Sequence, residues 1–208
     1  MLHFETVESS TLSILRKISA IPELKSFSLV GGTALALRFG HRRSVDLDFF
    51  SHEKQDVNEL TAILEREFGP LFKYERTKIS FAVFGEIDHV KTDLVYYPHA
   101  IIAPVEMEEG IRCYSNSDIA AMKINAILGR GVKKDFWDLA ELLTVYSLEE
   151  IIQFHKRKFP TQMLLISIPA ALTYFEDAEE SEDPISLKGQ NWEDIKKAIR
   201  QKVSDFLR

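Results

Sequence analysis

The chain has 208 residues, of which 45% are hydrophobic and 28% charged, and its net charge is −6. That length is enough for one generous domain or two small ones, and the acidic balance argues against a broad surface that coats nucleic acid. A single cysteine, Cys113, excludes an internal disulfide and argues against structural zinc. Because residues 1–20 read as an amphipathic helix and no long apolar run follows, we expect a cytoplasmic protein without a membrane segment.

The first half of the chain alternates helix-like and strand-like patterns. Apolar residues recur at helical spacing in some segments, whereas other segments are short runs rich in β-branched and aromatic residues. Glycine and proline separate the segments, as at Pro22, Gly40 and Pro98. The predicted elements are, in chain order, a helix ending near Pro22, a strand over 27–30, a helix over 33–39, a strand over 45–50, a helix over 56–68 and strands over 72–77, 79–87 and 89–97.

The second half of the chain is mainly helical. Ser115 and Ser147 each stand three residues before an acidic residue, an arrangement that favours a capping box at a helix start. The predicted helices of this half begin at about 115, 134, 147 and 191. These patterns predict an α+β fold, with an α/β core over residues 1–110 followed by a C-terminal helical bundle over 111–208. The boundary near 110 divides either two domains or two parts of one globule.

The predicted strand over 45–50 carries two carboxylates. Side chains at i and i+2 of a strand share a face, so Asp46 and Asp48 converge while Leu47 turns to the core. Asp93, on a later predicted strand, completes a cluster if the two strands are neighbours. Three such acids could hold two Mg²⁺ ions, with Mn²⁺ as a substitute, to activate a hydroxyl and stabilise a leaving pyrophosphate. The alternative is two exposed aspartates and one unrelated acid, because Asp-x-Asp alone is a weak motif.

A Gly31-Gly32-Thr33 sequence lies between a predicted strand and a predicted helix. Glycines allow a sharp turn and a close approach to phosphate, and the helix N-terminus offers free N–H groups. Thr33 either adds a hydroxyl donor or only caps the helix, and Arg42 and Ser44 stand just before the acids. A lone Gly-Gly turn is usually only a turn, but the short distance to the carboxylates leaves room for one helix and a return.

Charged residues in the helical half form a second group. Lys123 and Arg130 fall on one side of a predicted helix, from which both cations could face phosphates. Asp135 and Asp138 share a face of the next helix, where Asp138 could serve only to orient one of the two cations. The alternative is a solvated charged face. Trp137, between the two acids, is expected to pack in the core.

Taken together, these residues resemble the nucleotidyltransferase superfamily related to DNA polymerase β, which pairs a glycine-rich helix turn with a downstream Asp-x-Asp and a third acid on a nearby strand. More closely, residues 30–37 and 41–50 look like the AbiEii/AbiGii toxin family. The resemblance continues over 123–130 and 134–139. It spans about residues 27–143 and implies a nucleotidyltransferase-like mixed sheet with flanking helices.

The resemblance implies a catalytic role for five residues. Asp46 and Asp48 would bind the catalytic metal, and Asp93 would assist as a ligand or a base. Lys123 would contact the triphosphate of the substrate, and Asp135 would be an essential acid near the site. These five residues are the candidate catalytic group.

The same resemblance assigns phosphate binding to the glycine turn. Gly32 stands where the wider superfamily often has serine, so a phosphate-binding hydroxyl comes from Thr33 or is absent. The candidate nucleotide-binding residues are Gly31, Gly32, Thr33, Arg42, Ser44, Lys123 and Arg130.

The predicted activity is Mg²⁺-dependent transfer of a nucleoside monophosphate from an NTP to an acceptor hydroxyl. The acceptor could be an RNA 3′ end, since some relatives add nucleotides to tRNA, or a protein side chain or a small molecule. The family implies the toxin of a toxin–antitoxin or phage-defence system, whose antitoxin often acts without binding the toxin. The alternatives are a protein AMPylating enzyme and a homologue that binds nucleotide or a partner without catalysis.

Overall fold

A mixed β-sheet forms the centre of the computed structural model, which describes residues 1–75 and 78–208. Its strands are β1 (Ser28–Leu29), β2 (Leu47–Ser51), β3 (Phe72–Tyr74), β4 (Ala82–Ile87), β5 (Val90–Tyr96), β6 (Glu106–Glu108) and β7 (Ile111–Cys113). Within the described residues the seven strands lie in the order β3-β4-β5-β2-β1-β7-β6. The sheet is therefore continuous from the first half of the chain to the start of the second.

The centre of the sheet brings two acids face to face. β2 runs parallel to β5 and antiparallel to β1. The register places Asp48 directly opposite Asp93. Leu47 and Phe49 are buried on one face of β2, whereas Asp48 and Phe50 are half-buried on the other. The face that carries Phe50 therefore also carries the facing carboxylates.

Helices cover the sheet and make up most of the second half. Short 3₁₀ turns occupy Phe4–Thr6, Pro22–Leu24 and Gly69–Leu71. The α-helices are α1 (Ser9–Ala20), α2 (Gly31–Phe39), α3 (Val57–Phe68), α4 (Asn116–Gly129), α5 (Lys133–Leu142), α6 (Leu148–Lys158), α7 (Ile168–Thr173), α8 (Glu176–Glu179) and α9 (Trp192–Phe206).

The helix ends follow the local sequence. Gly40 ends α2 in the left-handed conformation, and its N–H donates to a carbonyl one turn earlier at 2.8 Å. Ser147 and Asn191 start α6 and α9 with reciprocal capping boxes. Ser115 starts α4, because its hydroxyl accepts from the Asp118 N–H at 3.1 Å. These caps explain the agreement of three predicted helix starts in the second half, whereas α5 begins at Lys133 without a side-chain cap.

Buried aromatic and ionic contacts hold the helical half together. Trp137 is 2% exposed and stacks on Trp192, with the ring centroids 5.7 Å apart and the planes at 11°. This contact joins α5 to α9 and confirms the core position predicted for Trp137. Lys158 Nζ lies 2.6 Å from Asp118 Oδ1, and both side chains are fully buried. That ion pair joins α6 to the start of α4.

The predicted α+β fold is confirmed, with differences at four strands. β2 begins at Leu47, so Asp46 precedes the strand, whereas the sequence placed it within one. β6 and β7 were not predicted, because strands of three residues are too short to show a repeat. The strand predicted over 72–77 ends at Tyr74. Residues 76 and 77 lie outside the described part of the chain.

The boundary predicted after residue 110 falls in the turn between β6 and β7, which pair with each other. The division into a core over 1–110 and a helical part over 111–208 stays a prediction. Among the described residues, every helix is too short or too polar to cross a lipid bilayer.

Candidate active site

A cavity of about 410 Å³ is lined by β2, the turn between β1 and α2, and one side of α4. Its polar lining residues are Thr33, Arg42, Ser44, Asp46, Asp48, Lys123, Asn125, Arg130 and Lys134. Its other lining residues are Val30, Gly31, Gly32, Phe50, Tyr97, Met122, Ala126 and Gly129. Of the site residues predicted from the sequence, Asp93 and Asp135 lie outside this lining, and the others form part of it.

The facing carboxylates concentrate negative charge at one wall. Burial raises the pKa of Asp48, as do the charges of Asp93 and Asp46, against the lowering effect of Lys91. Asp93 is 5% exposed, and its Oδ2 lies 2.9 Å from Lys91 Nζ. Asp46 Oδ2 contacts Lys134 Nζ at 3.3 Å. Two of the three acids are therefore paired with lysines, whereas Asp48 retains the strongest demand for a positive partner.

The oxygen donors at this wall fit a hard divalent cation. Asp93 Oδ1 is buried and has no hydrogen-bond partner among the described residues. This unpaired oxygen and the raised pKa of Asp48 indicate that the neighbouring lysine does not fully balance the negative charge of the two carboxylates. Mg²⁺ prefers such ligands and takes one or two carboxylates together with substrate phosphates. Within the described residues, no three acidic, histidine or cysteine side chains stand together as a complete metal centre.

The glycine turn packs directly against polar side chains. Gly31 has a φ of +69°, which favours glycine, and a Cβ there would lie 3.2 Å from Asp48 Oδ2. A Cβ on Gly32 would lie 2.1 Å from Arg42 Nη2, which is too close for any side chain. The two glycines therefore let the start of α2, with its free N–H groups, lie beside a carboxylate and a guanidinium.

Two hydroxyl groups join this turn to the segment before β2. Thr33 is 2% exposed, and its Oγ1 donates to the backbone oxygen of Asp46. It also shares a hydrogen bond of 2.8 Å with Ser44 Oγ. These contacts fix the backbone that carries Asp46. The phosphate-binding roles of Thr33 and Ser44 stay predictions.

Asp138 is a fully buried carboxylate that binds three basic side chains. It accepts from His41 Nε2 at 2.8 Å, from Arg42 Nε and Nη2 at 2.7 and 2.9 Å, and from Lys123 Nζ at 2.6 Å. Burial raises the pKa of Asp138, but the charges of Arg42 and Lys123 outweigh it and hold that pKa well below its usual range. The sequence suggested the contact with Lys123 but not those with His41 and Arg42, which come from a distant segment.

Arg42 is engaged more fully than the sequence suggested. It is 4% exposed, and its third nitrogen, Nη1, donates to the Arg43 backbone oxygen at 2.9 Å. Each of its nitrogens therefore has a protein partner, and its guanidinium lies against Gly32. The nucleotide-binding role of Arg42 stays a prediction, and its observed contacts hold the glycine turn against α5.

Lys123 and Arg130 converge on Asp135. Lys123 Nζ lies 2.9 Å from Asp135 Oδ1, and Arg130 donates to the same carboxylate from Nε and Nη2 at 2.9 and 3.1 Å. Burial lowers the pKa of Lys123, but Asp138 and Asp135 more than offset this and raise it, so the side chain is an ammonium. Asp135 is fully buried behind the two cations and fixes both at the cavity wall.

An apolar wall completes the cavity. The rings of Phe50 and Tyr97 lie 4.8 Å apart at an angle of 41°. Met122, Ala126 and Gly129, at steps of four and three along α4, line the same cavity. The sequence did not single out this wall, because its aromatic residues resemble ordinary core residues until the strand neighbours are known.

The chain is similar to nucleotidyltransferases along almost its whole length. The family model described as nucleotidyl transferase AbiEii toxin, type IV toxin–antitoxin system, matches residues 13–207. An uncharacterised protein of Aquifex aeolicus (strain VF5) is 31% identical over 201 residues, which make up 93% of this chain and 94% of that protein.

Two solved structures share the fold. MenT4, a nucleotidyltransferase toxin of Mycobacterium tuberculosis H37Rv, has a TM-score of 0.60 at 13% identity, over 94% of this chain and 82% of its own. A candidate nucleotidyltransferase of H. pylori has a TM-score of 0.56 at 18% identity, over 95% of this chain and 94% of its own. At such identities the likeness shows the fold, whereas the family model and the Aquifex relative show kinship. The chain belongs to the AbiEii nucleotidyltransferase toxin family.

Proposed function

We propose that this protein transfers a nucleoside monophosphate from an NTP to an acceptor hydroxyl and releases pyrophosphate. The observation that carries the proposal is the presence in one cavity of the Asp48 carboxylate, the Gly31-Gly32 turn and the Lys123 ammonium. Acids, open backbone N–H groups and cations are what phosphoryl transfer needs for positioning and charge neutralisation. Membership of the AbiEii family supports the same class of reaction.

Lys123 and Arg130 neutralise the triphosphate in this proposal. Both line the cavity, and Asp135 holds both in place. The turn at Gly31 adds backbone N–H groups at the start of α2, where the helix dipole favours an anion. The bond from the α-phosphorus to its bridging oxygen breaks as the acceptor oxygen bonds to that phosphorus. These groups stabilise the charge that collects on the departing pyrophosphate.

Asp46, Asp48 and Asp93 are the residues that would hold Mg²⁺, as two ions, with Mn²⁺ as a substitute. When bound, the metal polarises phosphate oxygens and promotes ionisation of the attacking hydroxyl. Asp93, with one buried and unpartnered oxygen, serves either as a ligand or as the acceptor of the hydroxyl proton. Burial disfavours the charged form of Asp48 and so raises its pKa. A cation bound beside this carboxylate would offset that cost, which supports metal binding here.

An RNA 3′ end, such as that of tRNA, is the acceptor that we propose. Arg130 and Lys134 line the cavity and are partly exposed, and exposed Arg43 lies beside the lining segment. These cations can contact a phosphate backbone. Lys133 and Arg42, the neighbours in sequence of Lys134 and Arg43, are buried in ion pairs. The remaining cations are few, which favours a strand end over a long duplex.

We further propose that the protein acts in the cytoplasm as the toxin of a toxin–antitoxin or phage-defence system. The description of the matching family as a type IV toxin–antitoxin system supports this context. In the mode that the resemblance implies, the antitoxin opposes the toxin without forming a stable complex with it.

Incubation with four α-³²P-labelled NTPs, Mg²⁺, total RNA and total protein tests the proposed reaction. We expect label on RNA with the native chain and none with Asp48→Ala. Asp205→Ala is the matched control, since Asp205 is exposed on the last turn of α9, and it should transfer label as the native chain does.

The same experiment separates the alternatives. Label on polypeptide instead of RNA would identify a protein AMPylating enzyme. Binding of nucleotide without transfer to any acceptor would identify an inactive homologue and contradict the proposed reaction. Loss of transfer on removal of Mg²⁺, with recovery on adding Mn²⁺, is the expected metal dependence.

A further inference from the structure

One side of the cavity has the composition of a nucleobase site. Phe50 and Tyr97 present a pair of rings, and α4 adds Met122 and Ala126. Phe50 follows Asp48 by two residues on the same face of β2, a separation of about 7 Å along a strand. This separation suits a nucleotide whose phosphates lie near Asp48 and whose base packs on the aromatic rings.

Asn125 adds a hydrogen-bonding group to this apolar wall. It lines the cavity from α4, as do Met122 and Ala126. Its Oδ1 accepts from Gln162 Nε2 at 2.8 Å. Its Nδ2 has no hydrogen-bond partner among the described residues. Because Asn125 Oδ1 already accepts from Gln162, Asn125 Nδ2 is the atom that can donate a hydrogen bond to a ligand.

Gln162 lies just after α6, beside a buried histidine. Its backbone N–H donates to Phe159 O at 3.1 Å. Burial lowers the pKa of His155, which is 2% exposed, and the nearby Gln162 amide opposes that effect. The side-chain nitrogen of Gln162 is the atom that donates to Asn125.

We propose that Asn125, oriented by Gln162, selects nucleotides whose base presents a carbonyl oxygen to the cavity. This inference rests on the proposed nucleotidyltransferase function. The Asn125 amide can donate to O2 or O4 of uracil, whereas the exocyclic amino group of adenine would place donor against donor. One such hydrogen bond, made or lost in a partly buried site, changes affinity about tenfold. UTP is therefore favoured over ATP by the polarity of this one amide.

Two substitutions reverse the polarity by different routes. Asn125→Asp replaces the donor with a carboxylate oxygen, while the other oxygen still accepts from Gln162. Gln162→Glu changes only an exposed residue outside the cavity, and its carboxylate attracts Asn125 Nδ2, which turns Asn125 Oδ1 toward the base. Gln153→Glu adds the same charge on the exposed face of α6, away from the cavity lining, and is the matched control.

Calorimetry with α,β-methylene UTP and α,β-methylene ATP in the presence of Mg²⁺ gives the ratio of the two dissociation constants. We expect this ratio to favour UTP in the native chain and in Gln153→Glu, and to shift toward ATP by about tenfold in both reversing variants. Using the ratio removes any general loss of affinity that the added negative charge causes. If Asn125→Asp does not fold, Gln162→Glu decides the question from the protein surface.

An unchanged ratio in Gln162→Glu, with nucleotide still bound, would overturn the role of Asn125 and leave the proposed transferase function intact. A native chain that binds neither analogue would instead contradict the proposed function itself. A shift in the ratio in both reversing variants, without a shift in Gln153→Glu, would establish the selection.

Discussion

Asp48 carries a negative charge in surroundings that disfavour it. Burial raises its pKa, and Asp93 lies opposite it in the register of the sheet. When the pKa of a carboxyl group is higher in the folded state than in the unfolded state, the protein loses stability as the pH rises through the interval between the two pKa values. The raised pKa of Asp48 therefore makes the metal-free protein less stable as the pH rises and this carboxyl group ionises.

Asp48→Asn should accordingly stabilise the metal-free protein while it removes activity. We expect a higher thermal midpoint near neutral pH, because the amide is uncharged and nearly the same size. We also expect label transfer to fall by a factor on the order of 10²–10³, the range found when a group that stabilises transition-state charge is lost. Differential scanning fluorimetry in EDTA measures the first, and the transfer reaction measures the second. A lower midpoint would show that Asp48 is an ordinary stabilising residue.

Replacing Asp138 should destabilise the protein, in contrast to Asp48→Asn, because Asp138 is the partner of buried cations. Asp138→Asn removes the carboxylate that Arg42 contacts in the core and one of the two carboxylates that hold Lys123, which costs about 3–5 kcal/mol of unfolding free energy. Asp183→Asn removes an exposed partner of Lys133 and should cost less than about 1 kcal/mol. Urea denaturation of both variants provides the comparison, and equal losses would contradict the role of Asp138 as the buried counter-ion.

The residues of the site differ in how far the sequence could predict them. Asp46, Asp48 and the glycine turn were predicted because each motif lies within a few neighbouring residues. Lys123 was singled out through the family resemblance, because helix spacing alone fits a solvated charged face equally well. The contacts of Asp138 with His41 and Arg42 could not be found this way, because they join segments that are far apart in the chain. Such contacts become visible only when α2 and α5 are packed together.

The element that positions the site is the turn at the start of α2. Gly31→Ala introduces a side chain where φ is +69° and pushes it toward Asp48 Oδ2. Gly189 has a φ of +72°, and a Cβ there would meet nothing within 4 Å in the described part of the chain. Both substitutions should therefore cost a similar backbone strain of about 1–2 kcal/mol.

We expect the two glycine variants to differ in activity. Gly31→Ala should lower label transfer about a hundredfold, since small misplacements of reacting groups have effects of that size. Gly189→Ala should retain native transfer at the same loss of stability. Thermal melts and initial rates, measured on the same preparations, test this, and a matching loss of activity in Gly189→Ala would contradict it.

Elements with strong end signals were the most predictable. Ser115, Ser147 and Asn191 each begin a helix through a side-chain cap that a few neighbouring residues determine. β6 and β7 were missed because three-residue strands depend on their partners, β1 among them, for their pairing. Asp46 was placed on β2 because the sequence alternates up to that point, although the hydrogen-bonded strand starts one residue later.

At the scale of the whole molecule, buried ion pairs determine the response to acid. The pKa of Asp138 lies well below the ordinary value of 3.8, and that of Asp135 is also lowered. Carboxylates with a depressed folded-state pKa contribute stability that is present above the unfolded pKa and is lost as the pH falls toward the folded one. Asp48 changes stability in the opposite direction, but it is one group against two.

The thermal midpoint of the native chain should therefore fall steeply as the pH drops below about 4. Asp138→Asn, which lacks one of these carboxylates, should show a weaker dependence over the same interval. Calorimetry from about pH 6 to about pH 3 measures both curves. Parallel curves for the two proteins would contradict the assignment of acid sensitivity to this buried cluster.

The site itself is a property of the whole molecule. Its lining comes from residues between Val30 and Phe50, from Tyr97, and from residues between Met122 and Lys134. The sequence predicted the polar part of this lining through its resemblance to a family, but the apolar wall and the place of Asn125 required the packing of α4 against the sheet.

The binding of metal and nucleotide in this cavity can be seen directly in crystals grown with Mn²⁺ and α,β-methylene UTP, by anomalous diffraction from the manganese. We expect manganese bound to Asp46, Asp48 and Asp93, with the triphosphate in contact with Lys123 and the start of α2. If manganese and nucleotide bind elsewhere and the cavity that Asp48 lines holds neither, the proposed site is contradicted.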